Sequence, residues 1–101
     1  MPRNLEQLTE CFSQRVAAWF ENEGREVVAD RAYLRQMNMA IALAASRWIE
    51  LEERPDAVEA MRGWLSEVRR RAVARNALAR VEAVDRVTGW FDACAEGAVR
   101  P

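Results

Sequence analysis

Apolar residues recur at helical spacing through the middle of the chain, and this periodicity is the feature that most restricts the fold. Between residues 30 and 53 they follow one another at intervals of three and four: Leu34, Met37, Ile41, Ala44, Trp48 and Leu51. That spacing predicts an amphipathic helix with one continuous buried seam. Met39 and Leu43 lie off the seam on a second apolar stripe. A helix over residues 30–53 therefore needs cover on two sides, and we expect it to be the central helix of the fold.

Three further segments repeat this pattern, and the few Pro and Gly residues punctuate it. We predict helices over residues 4–22, 30–53, 56–75 and 77–95, with residues 96–101 as a terminal tail. A chain of 101 residues is long enough for one hydrophobic core and too short for two. The sequence therefore predicts an all-α protein, a small helical bundle of about four helices in a single domain over residues 1–101.

Local signals indicate where these helices begin. Asn4 is the expected start of the first helix, and Asp30 is the expected N-cap of the second. For the third helix, Asp56 and Glu59 have the spacing of a capping box just after Pro55.

The apolar stripe of the second half loses phase near Asn76, and two structures fit that slip. A break near Asn76 gives four helices of similar length, and we prefer this interpretation. The alternative is a single helix over residues 55–94, about 60 Å long at 1.5 Å per residue. Half of such a helix would project from a domain of this size and would need a partner.

The composition excludes most enzyme chemistry. All fifteen basic residues are Arg, and the chain has neither Lys nor His. Schiff-base lysines, imidazole bases and His metal ligands are therefore absent. Cys11 and Cys94 stand far apart in the sequence, with no ligand spacing around them. We expect a protein that is not an enzyme and that uses no cofactor and no metal.

The cysteines and the hydropathy pattern also bear on location. We interpret Cys11 and Cys94 as two reduced, partly buried thiols. The alternative is a disulfide between them, which requires the first and last helices to meet. The N-terminus lacks the pattern of a secretion signal, and no apolar run is long enough to cross a bilayer. The expectation is a cytoplasmic protein without a membrane partner.

Positive charge concentrates in residues 62–80, which contain six Arg against Glu67 alone, although the whole chain has a net charge of −1. The usual meaning of such a run is a solvated helix face. The alternative is a nucleic-acid-binding module that uses the Arg62–Arg80 face. That alternative lacks a helix-turn-helix signature, interleaved aromatic residues and a basic tail.

Surface chemistry favours a protein partner. Met side chains adapt to several shapes, while Trp and Arg dominate the energetic centres of protein interfaces. Trp64 and Trp90 lie at the edges of their stripes, each after a Gly that we expect to allow close approach of another backbone. Core packing is the competing interpretation of every Met and Trp in the chain. We select seven candidate partner-binding residues: Met39, Leu43, Arg35, Arg47, Trp64, Arg69 and Trp90. Self-association through Met39 and Leu43 is an alternative way to cover that stripe.

The chain has an overall likeness to a known family. It extends over most of the sequence, from Trp19-Phe20 through Met37-Asn38-Met39-Ala40-Ile41 to Arg62-Gly63-Trp64-Leu65. In these runs the chain resembles the QslA-type quorum-sensing antiactivators of pseudomonads. The resemblance implies a protein that binds the ligand-binding domain of a LuxR-type autoinducer receptor, LasR, and blocks its dimerisation and DNA binding. No family motif can be matched position by position, so the resemblance assigns no site residues. A phage-type inhibitor or immunity protein is the alternative with the same surface chemistry and a different target.

Overall fold

The computed structural model describes the backbone of residues 2–22 and 30–99 and the side chains of residues 5–22 and 30–96. Four helices make up these ranges: α1 Pro2–Glu21, α2 Arg31–Leu51, α3 Ala57–Ala74 and α4 Leu78–Val99. The described ranges contain no strand. The prediction of a small all-α bundle of four helices is therefore confirmed.

The helix ends differ from the predicted ones in two places. α1 begins at Pro2, so Asn4 lies inside its first turn and the predicted start there is wrong. Proline suits a first helical position because its φ is already helical and its missing N–H has no partner there anyway. At the other end, α4 continues to Val99 instead of ending at residue 95. The Ala-rich composition of residues 93–98 favours this extension, so most of the predicted tail is helical.

The two predicted aspartate caps have different outcomes. Asp30 caps α2, because its Oδ1 accepts a hydrogen bond from the Tyr33 backbone N–H at 3.0 Å. Asp56 precedes α3 but makes no side-chain cap, so the capping box predicted there is wrong. Both of its carboxylate oxygens instead accept hydrogen bonds from Arg54, at 2.9 and 2.8 Å. A bidentate, charge-assisted pair competes well with a single cap bond, and it closes the corner between α2 and α3.

The break near Asn76 is confirmed, and its geometry explains why α3 stops. Asn76 has a φ of 56°, in the left-handed region, and no other described non-glycine residue has a positive φ. The Ala77 N–H donates to the Ala72 carbonyl and the Asn76 N–H donates to the Val73 carbonyl, both at 2.9 Å. These two bonds are the Schellman pattern, which satisfies carbonyls at a helix C-terminus and reverses the chain direction.

The helix at the centre of the bundle is α4, which packs against α1, α2 and α3. Its buried face includes the small residues Ala83, Cys94 and Ala95 as well as Phe91, so three neighbours can approach it closely. The expectation that residues 30–53 form the central helix is therefore wrong. The seam of α2 is nevertheless buried as predicted, with Met37 and Ala44 fully enclosed and Leu34 partly covered.

A disulfide joins Cys11 of α1 to Cys94 of α4, with the two Cα atoms 5.8 Å apart. The interpretation of these residues as separate thiols is therefore corrected. The pairing depends on the packing of α1 against α4, which local sequence does not reveal. The bond links residues 83 positions apart and so ties the first helix to the last.

Aromatic side chains fill the core around this link. Phe91 makes edge-to-face contacts with Phe12 and Trp48, at ring-centroid separations of 6.4 and 5.4 Å. Within the described helices, none combines the length and the apolar character that a membrane crossing requires.

Candidate protein-binding groove

A surface groove of about 210 Å³ runs between α2 and α3, with the first half of α4 at its base. Its apolar lining comes from all three helices: Met39, Ala40, Leu43, Trp64, Leu65, Val68, Ala72, Val84 and Val87. The polar lining consists of Gln36, Arg71, Arg75 and Arg80. No acidic residue of the described ranges lines the groove.

The groove exists because α2 carries more apolar surface than its neighbours cover. Met37 and Ala44 belong to the buried seam, whereas Met39 and Leu43 are 40% and 50% exposed. Across the groove, Trp64, Val68 and Ala72 follow one another at intervals of four on one side of α3. Helical residues four apart lie above one another, so these side chains form a continuous wall. The second stripe of α2 thus faces an apolar wall with a solvent-open space between them.

Arg47 lies over Trp64, with its guanidinium carbon 5.4 Å from the ring centroid. The same guanidinium forms an ion pair with Glu50, Nη1 to Oε2, at 3.1 Å. Stacking on a Trp face is favourable for a cation, and the carboxylate fixes the side chain from the other side. Trp64 is half-buried, and Arg47 holds its indole at one end of the groove.

The other end of the groove is basic. Arg80 extends its Nε to the Gln36 side-chain oxygen at 3.2 Å, which links α4 to α2. Arg71 forms an ion pair with Glu67 at 3.1 Å. Within the described side chains, neither Arg75 nor Arg80 forms an ion pair, so no carboxylate compensates these two guanidiniums beside the apolar lining.

Four of the seven predicted site residues meet here, and three lie elsewhere. Met39, Leu43 and Trp64 line the groove, and Arg47 stacks on Trp64. Arg35 is exposed on α2 outside the lining.

Arg69 is turned away from the groove toward α4, where its Nε lies 2.7 Å from an Asp85 oxygen. Trp90 packs against Trp19, with ring centroids 6.4 Å apart, on the side of α4 that faces α1. The structure therefore separates Arg35, Arg69 and Trp90 from the site, because periodicity does not reveal which side of a helix a distant element covers.

The two glycines before Trp64 and Trp90 do not serve close approach. A Cβ added at Gly63 or Gly89 would meet no heavy atom within 4 Å. The expectation that these glycines allow another backbone to come close is wrong for the packing within this chain.

Most arginines of residues 62–80 form ion pairs with acidic residues of the same chain. Arg62 pairs with Asp92 at 3.1 Å and Arg69 pairs with Asp85, so two acids of α4 face two cations of α3. Glu67 binds both Arg70 and Arg71. The hydrogen bonds from Arg70 lower the pKa of the Glu67 carboxyl, and Arg71 acts in the same direction. Four of the six arginines in residues 62–80 are therefore paired with three carboxylates, whereas within the described side chains Arg75 and Arg80 are not.

The predicted site residues did not include the other ten lining residues, among them Gln36, Val68, Ala72, Arg75 and Arg80. The spacing of Val68 and Ala72 after Trp64 was a usable signal for the wall of α3. Arg75 and Arg80 stood within the arginine-rich stretch but had no distinguishing mark. Only the turn at Asn76 and the packing of α4 bring Arg80 next to α2.

A larger and more open depression, of about 710 Å³, lies between α1 and the corner that joins α2 to α3. Its polar lining is mostly acidic and includes Glu6, Glu10, Glu52 and Glu53. Among the described residues, no group of three or more acidic or cysteine side chains is placed to hold a metal ion. Its greater volume reflects its openness, and we regard the smaller apolar groove as the better binding surface.

No protein-family model matches the chain, and no curated protein or solved structure resembles it closely enough to count as a match.

Proposed function

We propose that this protein is a non-enzymatic regulator that binds another protein through the groove between α2 and α3. The observation that supports the proposal is the unfilled apolar stripe of Met39 and Leu43 opposite Trp64. Contiguous apolar surface rimmed by polar groups is typical of interaction sites. The arginine side chains around it resemble the composition of energetic centres in protein interfaces.

The energetic case rests on what a partner would cover. Complete burial of a fully exposed Leu or Met side chain contributes about 1.5–3 kcal/mol, and Met39 and Leu43 are 40% and 50% exposed, so covering each contributes about half of that. Trp64 adds a large, half-covered ring whose position Arg47 already fixes, so little side-chain freedom is lost on binding. The arginines at the opposite end would set orientation and raise the rate of encounter with an acidic surface.

The class of partner comes from the resemblance to QslA-type antiactivators. On that basis we propose that the partner is the ligand-binding domain of a LuxR-type transcription regulator in the cytoplasm. The mechanism would be steric competition, in which the groove occupies the surface that the receptor uses for dimerisation and so prevents DNA binding. Cys11 and Cys94 join α1 to α4, whereas the groove is lined by α2, α3 and the first half of α4. The proposal therefore does not require either redox state.

The test is a DNA gel-shift competition with a LuxR-type receptor loaded with its autoinducer. The wild-type protein is expected to release the DNA. Leu43→Arg places a charge in the apolar lining, and we expect it to weaken inhibition by about tenfold to a hundredfold. Ile49→Arg is the matched control, because Ile49 is on the same helix, is 67% exposed and lies outside the groove.

The helical circular-dichroism spectrum should be unchanged in both variants, since both positions are exposed. Equal inhibition by the Leu43 and Ile49 variants would contradict the groove as the binding surface. Absence of inhibition by the wild-type protein would contradict the receptor assignment and leave an inhibitor or immunity protein with another target as the alternative.

No structural observation favours the nucleic-acid alternative. Four of the six arginines in residues 62–80 are ion-paired with acids of α3 and α4. Phosphate groups would have to displace these acids, and the neighbouring carboxylates would repel them.

A further inference from the structure

We propose that the occupant of the groove is an acidic amphipathic helix of the partner, with apolar residues along one side and carboxylates near one end. This inference rests on the proposed function, since it names the chemistry of the segment that the same groove binds.

The first argument is the one-sided charge of the lining. Arg71, Arg75 and Arg80 contribute three positive charges, and no described acidic residue lines the groove. Glu67 compensates Arg71 from outside the lining, while among the described side chains Arg80 binds only the neutral Gln36. Two uncompensated guanidiniums beside an apolar surface favour carboxylates in whatever binds there, because Arg binds carboxylates in bidentate fashion.

The second argument is shape. The lining residues of α3 and its C-cap extend from Trp64 to Arg75, a length of about 16 Å along the helix axis. Those of α2 extend from Gln36 to Leu43, so the two walls are adjacent stretches of helix with a trough between them. A trough between two packed helices accepts a third helix, which inserts apolar side chains at positions i, i+4 and i+7.

The third argument is the polarity of the groove along its length. Arg47 marks the Trp64 end by its stacking contact, and the Gln36–Arg80 hydrogen bond marks the other end. Apolar side chains line the groove along its whole length, from Leu43 and Trp64 to Ala72, whereas the cations of the lining stand at the end of Arg75 and Arg80. A bound helix would therefore carry its acidic residues at one end instead of evenly.

The experiment is fluorescence anisotropy of a labelled helical peptide of about 15 residues, long enough for helix formation. The peptide is built of Ala with a Leu stripe and has Glu residues beside the stripe at one end. A second peptide has Gln in place of each Glu, and a third has Ala in place of each Leu. We expect the Glu peptide to bind about tenfold more tightly than the Gln peptide at low salt, with the difference shrinking as salt is added. The Ala peptide should not bind.

Protein variants assign this preference to named groups. Arg75→Gln combined with Arg80→Gln should lower the affinity for the Glu peptide by about tenfold and leave the affinity for the Gln peptide unchanged. Arg31→Gln and Arg35→Gln combined make the matched control, since both residues are exposed and outside the lining and the change in net charge is the same. Glu67→Gln removes the acid that compensates Arg71 and should raise the affinity for the Glu peptide several-fold. That gain keeps the test informative if the arginine variants fold poorly.

Equal binding of the Glu and Gln peptides, or no binding of either, would overturn the inference. Equal losses in the Arg75/Arg80 and Arg31/Arg35 double variants would also overturn it, because they would indicate a general charge effect. A free protein that sediments as a dimer and becomes monomeric with Leu43→Arg would assign the groove to a second copy instead. The receptor gel shift is independent of these readings. Failure of the peptides with intact Leu43-dependent inhibition contradicts only the helix inference, whereas discrimination between peptides without inhibition contradicts only the receptor assignment.

Discussion

The indole of Trp48 is buried in the core and still needs a hydrogen-bond acceptor for its N–H. Its Nε1 donates to the Thr9 hydroxyl oxygen at 2.8 Å, and that hydroxyl donates to the Leu5 carbonyl at 2.9 Å. The relay joins α2 to α1 through one side chain. Thr9 therefore contributes to the packing of α1 although it lies off the apolar stripe.

Thr9→Val keeps the shape of the side chain and removes the acceptor. A buried donor without a partner costs about 1–3 kcal/mol, so the free energy of unfolding in urea should fall by that amount. Thr9→Ser retains the hydroxyl, so its free energy of unfolding should fall clearly less than that of Thr9→Val. An unchanged midpoint and slope for Thr9→Val would contradict the role assigned to this hydrogen bond.

The Glu67 carboxylate predicts a pH dependence of stability. Arg70 and Arg71 lower its pKa in the folded protein, so it binds its proton less readily than in the unfolded chain. Its contribution to the free energy of unfolding is therefore fully present above the ordinary carboxyl pKa of about 4. That contribution is lost as pH falls through the lowered pKa of the carboxyl in the folded protein. The difference in unfolding free energy between wild type and Glu67→Gln should shrink on acidification. A difference that stays constant with pH would contradict the pairing.

At the scale of elements, the reversal between α3 and α4 positions the groove. Arg80 reaches Gln36 only because the chain turns at Asn76. The left-handed conformation there costs most residues about 1–2 kcal/mol, less for Asn and nothing for Gly.

Asn76→Val should lower the free energy of unfolding by about 1–2 kcal/mol, because a β-branched side chain is strained in the left-handed region. Asn76→Gly should leave stability equal or slightly higher, since the glycine adopts this φ without strain. Equilibrium denaturation of the two variants measures both effects. Equal stability of the Val and Gly variants would mean that the turn is not left-handed in solution.

Helix positions could be predicted from the sequence because they depend on local spacing. The seam of α2 and the break at Asn76 follow from periodicity within a few residues on either side. The central place of α4 could not be predicted, since several stripes of similar length compete for the core and spacing alone does not pair them. For the same reason, spacing marked Met39, Leu43, Trp64 and Trp90 alike as candidates, although only the first three line the groove and Trp90 packs against Trp19.

At the scale of the whole molecule, two long-range links depend on which helices meet. The Cys11–Cys94 disulfide connects the first helix to the last. The ion pairs of Asp85 and Asp92 connect the consecutive helices α3 and α4 across 16 and 30 residues. Neither link leaves a local signal, which explains why the two cysteines were interpreted as separate thiols.

Removal of the disulfide tests how much it contributes to the stability of the fold. A native bond that closes a long loop contributes about 2–5 kcal/mol, mainly by restricting the unfolded chain, and a separation of 83 residues belongs at the upper end. Cys11→Ser combined with Cys94→Ser should lower the denaturation midpoint accordingly. Addition of a reductant should destabilise the wild type by a similar amount and leave the double variant unchanged. Equal midpoints of oxidised wild type and double variant would contradict this contribution.

An NMR titration tests the groove as the docking surface most directly. The protein is labelled with nitrogen-15, the acidic amphipathic peptide is added, and the four indole N–H signals are monitored in a nitrogen–proton correlation spectrum. The four tryptophans report on three places: Trp64 in the groove, Trp48 in the core, and Trp19 with Trp90 on the side facing α1. Addition of the acidic amphipathic peptide should shift the Trp64 signal progressively and leave the Trp90 signal in place. A shift of Trp90 with an unchanged Trp64 would contradict the groove as the site where this protein binds its partner.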